Sequence, residues 1–302
     1  FLLESAPDPI ALEKAFCTLI QTEPLLRTSF RQAADGIVAH VDDSVPFCLE
    51  QIDARDLQEA TNLFLRPFDL QKAPLLRAAL WQASQGNWYL LMDTHHMIGD
   101  GMSTPILLNR LDRAYRNENL SVSWDYYDYL HTMSLQDGSA AKQQELVYWK
   151  NHLQNLPDPL NLPGDYIRPK KFDYKGAEYE LLLSERESDA CKTFCREKGI
   201  SEFSLFLAAY GILLGAVSGS KDFVIGAPVA GRTLPQTQEI CGPFINTLPL
   251  RLQPKDTLSV SQWLAAVQEE VAGMLDHQQV SLEEIIQALN LPRSEQNALY
   301  QV

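Results

Sequence analysis

Hydrophobic residues recur along this chain with two different periods. After an Asp8-Pro9 turn, residues 10–20 place Leu12, Ala15, Phe16, Leu19 and Ile20 at helical spacing. Short apolar runs at 26–30 and 37–41 are split by Asp35-Gly36, which predicts a hairpin. Residues 57–65 read as a helix that stops at Pro67. Runs at 75–81 and 88–92, separated by Gln85-Gly86-Asn87, predict two more strands. The four consecutive apolar residues at 89–92 predict burial on both faces. Leu107, Leu108, Leu111 and Tyr115 then repeat at helical spacing, with Ser103 or Thr104 as cap and Pro105 in the first turn. Phe1-Leu2-Leu3 reads as a strand already under way.

The second half repeats this mixture. Residues 145–153 predict a helix, and three prolines with a glycine between 156 and 165 read as a linker. That linker sets the expected division: residues 1–158 as an N-terminal lobe and 159–302 as an incomplete C-terminal lobe. Residues 177–183 predict a strand and 187–197 a helix. Ser201 can cap the next helix, 203–214, which is nearly all apolar and is expected to be buried. A short strand at 222–225 enters a Gly- and Pro-rich loop at 226–232. A strand at 244–252 and a helix at 260–274, capped by Ser259, follow. The order of elements suggests a mixed α+β fold of two similar lobes, although no residue-level repeat is visible.

Composition acts mainly by exclusion. The 302 residues are 45% hydrophobic and carry a net charge of −14. Such a chain repels phosphate backbones and anionic lipid, so neither nucleic acid nor membrane is expected as a partner. Arg168, Lys170 and Lys171 form a local basic cluster against that trend. The five cysteines are odd in number and widely spaced, which fits reduced thiols in a cytoplasmic protein. No apolar run approaches the ~20 residues of a membrane span. The chain does not start with Met, so a fragment is expected.

Chemistry concentrates in Thr94-His95-His96-Met97-Ile98-Gly99-Asp100-Gly101-Met102-Ser103. Imidazole exchanges a proton near neutral pH, and the strand-loop-helix context puts the pair where a side chain can enter a cleft. The alternatives are two satisfied loop histidines or half a metal site. Adjacent histidines diverge, and a third ligand is needed, so no metal is assigned. Asp100 is either a general acid or a structural partner of a cation. The second is favoured, with Arg232 the first candidate and Arg27 the second, because a carboxylate beside Arg stays ionised. Gly101 either only permits the turn or also offers an N–H to an oxyanion. Asn246-Thr247 puts polar groups in an apolar strand, either to orient a ligand or to tie down a loop. His277-Gln278-Gln279 reads as the solvated end of a helix. No GxSxG, no cysteine near a histidine and no nucleotide-binding fingerprint is present.

The order HHxxxDG resembles the signature shared by chloramphenicol acetyltransferases and the condensation domains of nonribosomal peptide synthetases. Further blocks resemble the condensation domains in particular. They are Leu26-Arg27-Thr28-Ser29-Phe30, Arg66-Pro67-Phe68-Asp69-Leu70 with Pro74-Leu75-Leu76-Arg77, Tyr127-Asp128-Tyr129, Tyr148-Trp149, Ile225-Gly226-Ala227-Pro228-Val229-Ala230-Gly231-Arg232, Gly242-Pro243-Phe244-Ile245-Asn246-Thr247-Leu248 and His277-Gln278. Met102 stands where many relatives have Trp, Gln279 where an acid is common, and Ser281-Leu282 where Pro-Phe is usual. The last five residues resemble Pro-Leu-Phe-Gln-Val, after which the family continues, and the usual opening is absent, so both ends are expected to be missing.

The resemblance implies two chloramphenicol-acetyltransferase-like lobes in a V with a central tunnel. It implies amide formation between a donor acyl or peptidyl thioester and an acceptor α-amine. His96 is implied as the catalytic residue, with His95, Asp100, Gly101 and Arg232 supporting it. Met102, Ser103, Asn246 and Thr247 are the tunnel candidates. The domain itself is expected to bind no cofactor. Its substrates ride on the 4'-phosphopantetheine arms of donor and acceptor peptidyl carrier proteins, and an adenylation domain is expected beside it in the same polypeptide. An epimerisation domain, a docking or recruitment domain, and a stand-alone O-acyltransferase are the rival readings.

Overall fold

A computed structural model describes residues 1–34, 36–166, 176–291, 299–300 and 302. The basic cluster at Arg168, Lys170 and Lys171 lies outside the described residues, as do Asp35, Ala298 and Gln301. Two compact units emerge: Phe1–Asp137 with Arg232–Ile245, and Gly138–Gly231 with Asn246–Val302. The division therefore falls at 137/138 rather than at 158, and a later segment returns to the first unit. The proline-rich stretch is not a boundary because its apolar residues are used. Leu160 is buried in the second core, and Leu156 and Leu162 pack against it.

The first unit contains β1 (Leu2–Leu3), α1 (Pro9–Thr22), β2 (Thr28–Ala33), β3 (Gly36–Val41), β4 (Glu50–Ile52), α2 (Leu57–Phe64), β5 (Leu76–Gln82), β6 (Trp88–Thr94), α3 (Ser103–Tyr115) and α4 (Tyr126–Ser134). Four strands form one sheet in the order β1-β6-β5-β4, with only the β4–β5 pair parallel. The pair β2–β3 is the predicted hairpin, closing at Ala33 opposite Gly36. It starts at Thr28, because Pro24–Arg27 winds into a 3-10 turn first. Asp8 caps α1 by accepting from the Ile10 and Ala11 amides. All five apolar positions predicted for α1 are buried, and the helix packs on α3. Burying each of the Leu, Ile and Phe side chains contributes about 1.5–3 kcal/mol. In β6 only Leu90 is buried; Tyr89, Leu91 and Met92 are half-buried, so the strand is not covered on both faces. Helix α4 has no fully buried residue, but Tyr126 and Tyr127 pack against the first core and an Asp125/Asp128 capping box starts the helix.

The second unit contains α5 (Ala140–His152), α6 (Glu185–Lys198), α7 (Glu202–Ser218), β7 (Phe223–Val229), β8 (Asn246–Leu252), α8 (Val260–Asp276) and α9 (Leu282–Ala288). Strand β7 pairs antiparallel with β8 through its full length, including Gly226 opposite Pro249 and Pro228 opposite Thr247. The predicted loop thus begins only at Ala230. A Cβ on Gly226 would lie 2.5 Å from the Tyr300 ring, so glycine permits that close approach.

Two expectations fail here. Residues 177–183 form no strand, since no described strand stands beside them to complete a ladder. Helix α7 buries one face only, through Leu207, Ala208, Gly211 and Leu214, while Phe203, Phe206, Tyr210 and Leu213 are exposed. Among the described residues no single helix is long and apolar enough to cross a membrane.

Candidate active site

Strand β6 delivers the histidines. The β5–β6 ladder ends at Leu76 opposite Thr94, and the His95 amide adds one more bond to the Leu75 carbonyl at 2.9 Å. The chain then breaks into a 3-10 turn, His96–Ile98. His95 caps that turn: its Nδ1 accepts from the Met97 amide at 3.2 Å, and its ring stands edge-on to Phe68. As the acceptor of that bond, Nδ1 bears no hydrogen in this arrangement. Ile98 plugs into the core with 1% exposure and anchors the other end of the turn. Between these anchors, His96 is exposed, and its ring makes no hydrogen bond among the described residues.

Asp100 is the opposite case. Its side chain is buried and faces Arg232, which is equally buried. Asp100 Oδ1 accepts from Arg232 Nη2 at 2.9 Å, from the Ser103 amide at 2.8 Å and from Ser103 Oγ at 2.8 Å. Its Oδ2 accepts from the Phe244 amide at 3.2 Å. Burial pushes the carboxyl upward, but the hydrogen bonds from Ser103 and Arg232, with the Arg232 charge, hold it below the usual carboxylate range. Asp100 is thus ionised and is no proton donor near neutral pH. The predicted pair with Arg232 is observed. Arg27 instead donates to the carbonyls of Asp42 and Asp43.

Arg232 in turn holds its own loop. It donates to the carbonyls of Thr237 and Ile240, the latter at 2.7 Å, and lies 4.2 Å over the Phe244 ring. Phe244 packs against Tyr126 and Tyr129 of α4. Gly242 is required by close approach, because a Cβ there would sit 2.3 Å from Tyr126. Burial pushes the Tyr126 hydroxyl up to about 12 and the neighbouring Cys241 thiol up to about 11. A thiol so protonated is a poor nucleophile at neutral pH.

The chain as a whole resembles known proteins. A family model described as a condensation domain matches residues 1–302. The chain belongs to the condensation domain family. Its relatives include a plipastatin synthase of Bacillus subtilis (strain 168), 36% identical over 296 residues, covering 96% of this chain and 12% of that protein. Surfactin synthase subunit 2 of the same organism is 32% identical over 294 residues, covering 97% of this chain and 8% of that protein. The domain therefore spans about a tenth of the length of these synthases. Among solved structures, the X-domain from teicoplanin biosynthesis matches with a TM-score of 0.91 at 25% identity, covering 100% of this chain and 70% of that one. The first condensation domain of the CDA synthetase matches with a TM-score of 0.79 at 21% identity, covering 95% of this chain and 71% of that one. The fold is the mixed α+β fold of condensation domains.

Within this condensation domain the remaining candidates separate. Ser103 does not cap α3 with its side chain; that place falls to Met102, and Ser103 Oγ is spent on Asp100 and on the Gly242 amide at 3.0 Å. Met102 is 41% exposed. Gly101 lacks a positive φ, and a Cβ on it would meet open space, so the turn does not require glycine there. Gly99 is the tighter position, with a Cβ 3.2 Å from that of Ser103. Asn246 and Thr247 stand on β8 in the second unit. Asn246 donates to the Val280 carbonyl at 2.8 Å and accepts from the Leu282 amide at 3.3 Å, so both ends of its amide tie a loop.

His277 is not a solvated helix end. Its ring stacks 3.6 Å from Tyr148 and sits 3.3 Å from Glu145, while its carbonyl accepts from Trp149 Nε1. The Tyr148-Trp149 and His277-Gln278 blocks are therefore one packed cluster, which neither block suggests alone. Among the described residues, no three His, Cys, Asp or Glu side chains are grouped to hold a metal.

Proposed function

We propose that this condensation domain forms an amide bond between a donor acyl or peptidyl thioester and the α-amine of an acceptor aminoacyl thioester. Both substrates ride on phosphopantetheine arms of carrier proteins, and an adenylation domain is the expected neighbour. In this reading the two units are the two lobes. One observation carries it: the His96 ring is exposed and free of hydrogen bonds among the described residues, on a turn whose two ends are pinned.

The chemistry sets what His96 must do. An α-amine has a pKa of roughly 7.7–8.0, so the neutral nucleophile costs only about 1.4 kcal/mol at pH 7. Attack forms the C–N bond and leaves an ammonium beside an oxyanion. His96 accepts the surplus proton from nitrogen. The oxyanion then collapses, the C–S bond breaks, and the proton held by His96 passes to the departing sulfur, which leaves as a thiol and returns the imidazole to its starting form. Help of this kind is worth about 10²–10⁴-fold, and holding two tethered substrates supplies more. Asp100 carries no proton in this scheme. Its pairing with Arg232 holds the loop behind the turn, and His95 shapes the turn itself.

A second reading is favoured by a specific observation. The X-domain from teicoplanin biosynthesis has also been solved in complex with OxyB, with a TM-score of 0.87 to this chain at 24% identity. A docking or recruitment domain of this fold would need no free imidazole.

Intact-protein mass spectrometry separates the readings. A donor-loaded and an acceptor-loaded carrier are mixed with the domain in its full-length synthetase, or with His96→Ala. Transfer of the donor mass onto the acceptor carrier, lost by at least about 10²-fold in the variant, supports condensation. Carrier binding without transfer favours recruitment, and exchange of an α-proton for deuterium favours epimerisation.

A further inference from the structure

One residue of the Pro74-Leu75-Leu76-Arg77 block has no part in the scheme above: Arg77. Arg77 lies on β5 directly opposite Asp93 on β6, two residues before His95. It is 8% exposed. Its Nε and Nη2 donate to Asp93 Oδ2 at 2.9 and 2.6 Å, and Nη2 also donates to the Arg66 carbonyl. The face of the guanidinium lies 4.0 Å over the Phe68 ring. Phe68 in turn meets the His95 ring edge-on, with centroids 6.0 Å apart and planes at 88°.

We propose that Arg77 is a positioning residue for the histidine turn, acting through Asp93 and Phe68. Arg77 reaches the turn by two routes. Along β6, its ion pair fixes the strand two residues before the first histidine. Through space, its flat face fixes the ring against which His95 packs. His95 is then held by the Leu75 carbonyl, the Met97 amide and Phe68, and it sets where His96 begins. A planar guanidinium can bond along its edge and stack on its face together, which an ammonium cannot. A strand staple alone would need only the ion pair. The stack on Phe68 is what links the pair to the imidazole.

The inference rests on the reading of His96 as proton acceptor, but half of its test does not. The full chain, labelled with ¹⁵N in its histidines, reports the tautomer of His95 without turnover. Single-turnover amide formation reports the consequence. Wild type is expected to hold His95 with Nδ1 unprotonated. Arg77→Lys and Phe68→Leu are each expected to release it, so that the two ring nitrogens average. The single-turnover rate of amide formation is then expected to fall about ten- to a hundredfold, with the half-saturating carrier concentration within about twofold. The double variant is expected to fall little further, because both changes cut one path.

The proposal is overturned if either variant is folded, keeps the wild-type His95 nitrogen shifts and reacts within about twofold of wild type. Should Arg77→Lys fail to fold, Phe68→Leu decides, since it leaves the ion pair intact. If wild type itself makes no amide, the condensation reading falls while the nitrogen shifts still judge Arg77.

Discussion

His96 and Asp100 are four positions apart and live in opposite surroundings. His96 is exposed, and its ring makes no hydrogen bond among the described residues. Asp100 is buried, with bonds from Arg232, Ser103 and Phe244. The motif therefore divides into a reactive end and an anchor. The anchor joins distant parts of the sequence, as Asp100 and Arg232 are separated by 132 positions. Proton chemistry needs a group that can change charge. Anchoring needs one that cannot, and the Arg232 guanidinium beside Asp100 provides that.

The contrast can be broken from the anchor side. Arg232→Ala leaves the Asp100 charge buried and unpaired, so it should cost about 3–5 kcal/mol of stability by urea denaturation. Combining it with Asp100→Ala should recover part of that loss, because no orphaned charge remains. An unaltered midpoint in the single variant would mean the pair is not an anchor.

Gly242→Ala should cost about 1–3 kcal/mol, because its new Cβ meets the Tyr126 ring. Pairing it with Tyr126→Leu should relieve the clash, and the same denaturation curves would reveal it.

Acid should weaken the anchor in a defined direction. The Asp100 carboxyl is held below its ordinary value when folded. Its stabilisation is therefore complete above the unfolded value of about 3.9 and is lost as pH falls through that value toward the lowered one. Asp100→Asn should flatten this acid limb, measured as unfolding midpoint against pH. A limb of unchanged depth would place the titrating group elsewhere.

The smallest effect is expected at Gly101. Its Cβ would enter open space, so Gly101→Ala should stay within about 0.5 kcal/mol in stability. Its rate of amide formation should stay near wild type. A large rate loss without a stability loss would restore a role for its backbone in holding an oxyanion.

Much of this is legible in the sequence, for physical reasons that differ by element. Helix α1 can be read because five apolar positions at 3.6-residue spacing all reach the core. The Asp100–Arg232 pair is the first of two pairings that the sequence offers, since a carboxylate beside an Arg stays ionised; only the fold decides between Arg232 and Arg27. Strand β7 is hidden by Gly226 and Pro228, which usually end strands. Gly226 is needed there by Tyr300, and the exposed Pro228 is tolerated within the ladder to β8.

Helix α7 misleads because an apolar sequence reports preference, not the partner that would cover each face. Residues 177–183 fail similarly, since a ladder cannot be read from one strand. Arg77 enters the sequence reading only as part of a block. Its importance depends on Phe68 and Asp93 meeting it in space.

One paired measurement tests the central claim that the motif separates reaction from anchoring. Single-turnover amide formation and the urea midpoint are recorded together for wild type, His96→Ala and Asp100→Asn. His96→Ala should lose at least about 10²-fold in rate while its stability stays within about 0.5 kcal/mol. Asp100→Asn should lose stability, and its remaining folded fraction should keep the wild-type dependence of rate on pH. A His96→Ala chain within about tenfold of the wild-type rate would contradict the account. So would an Asp100→Asn chain of wild-type stability whose chemistry is abolished.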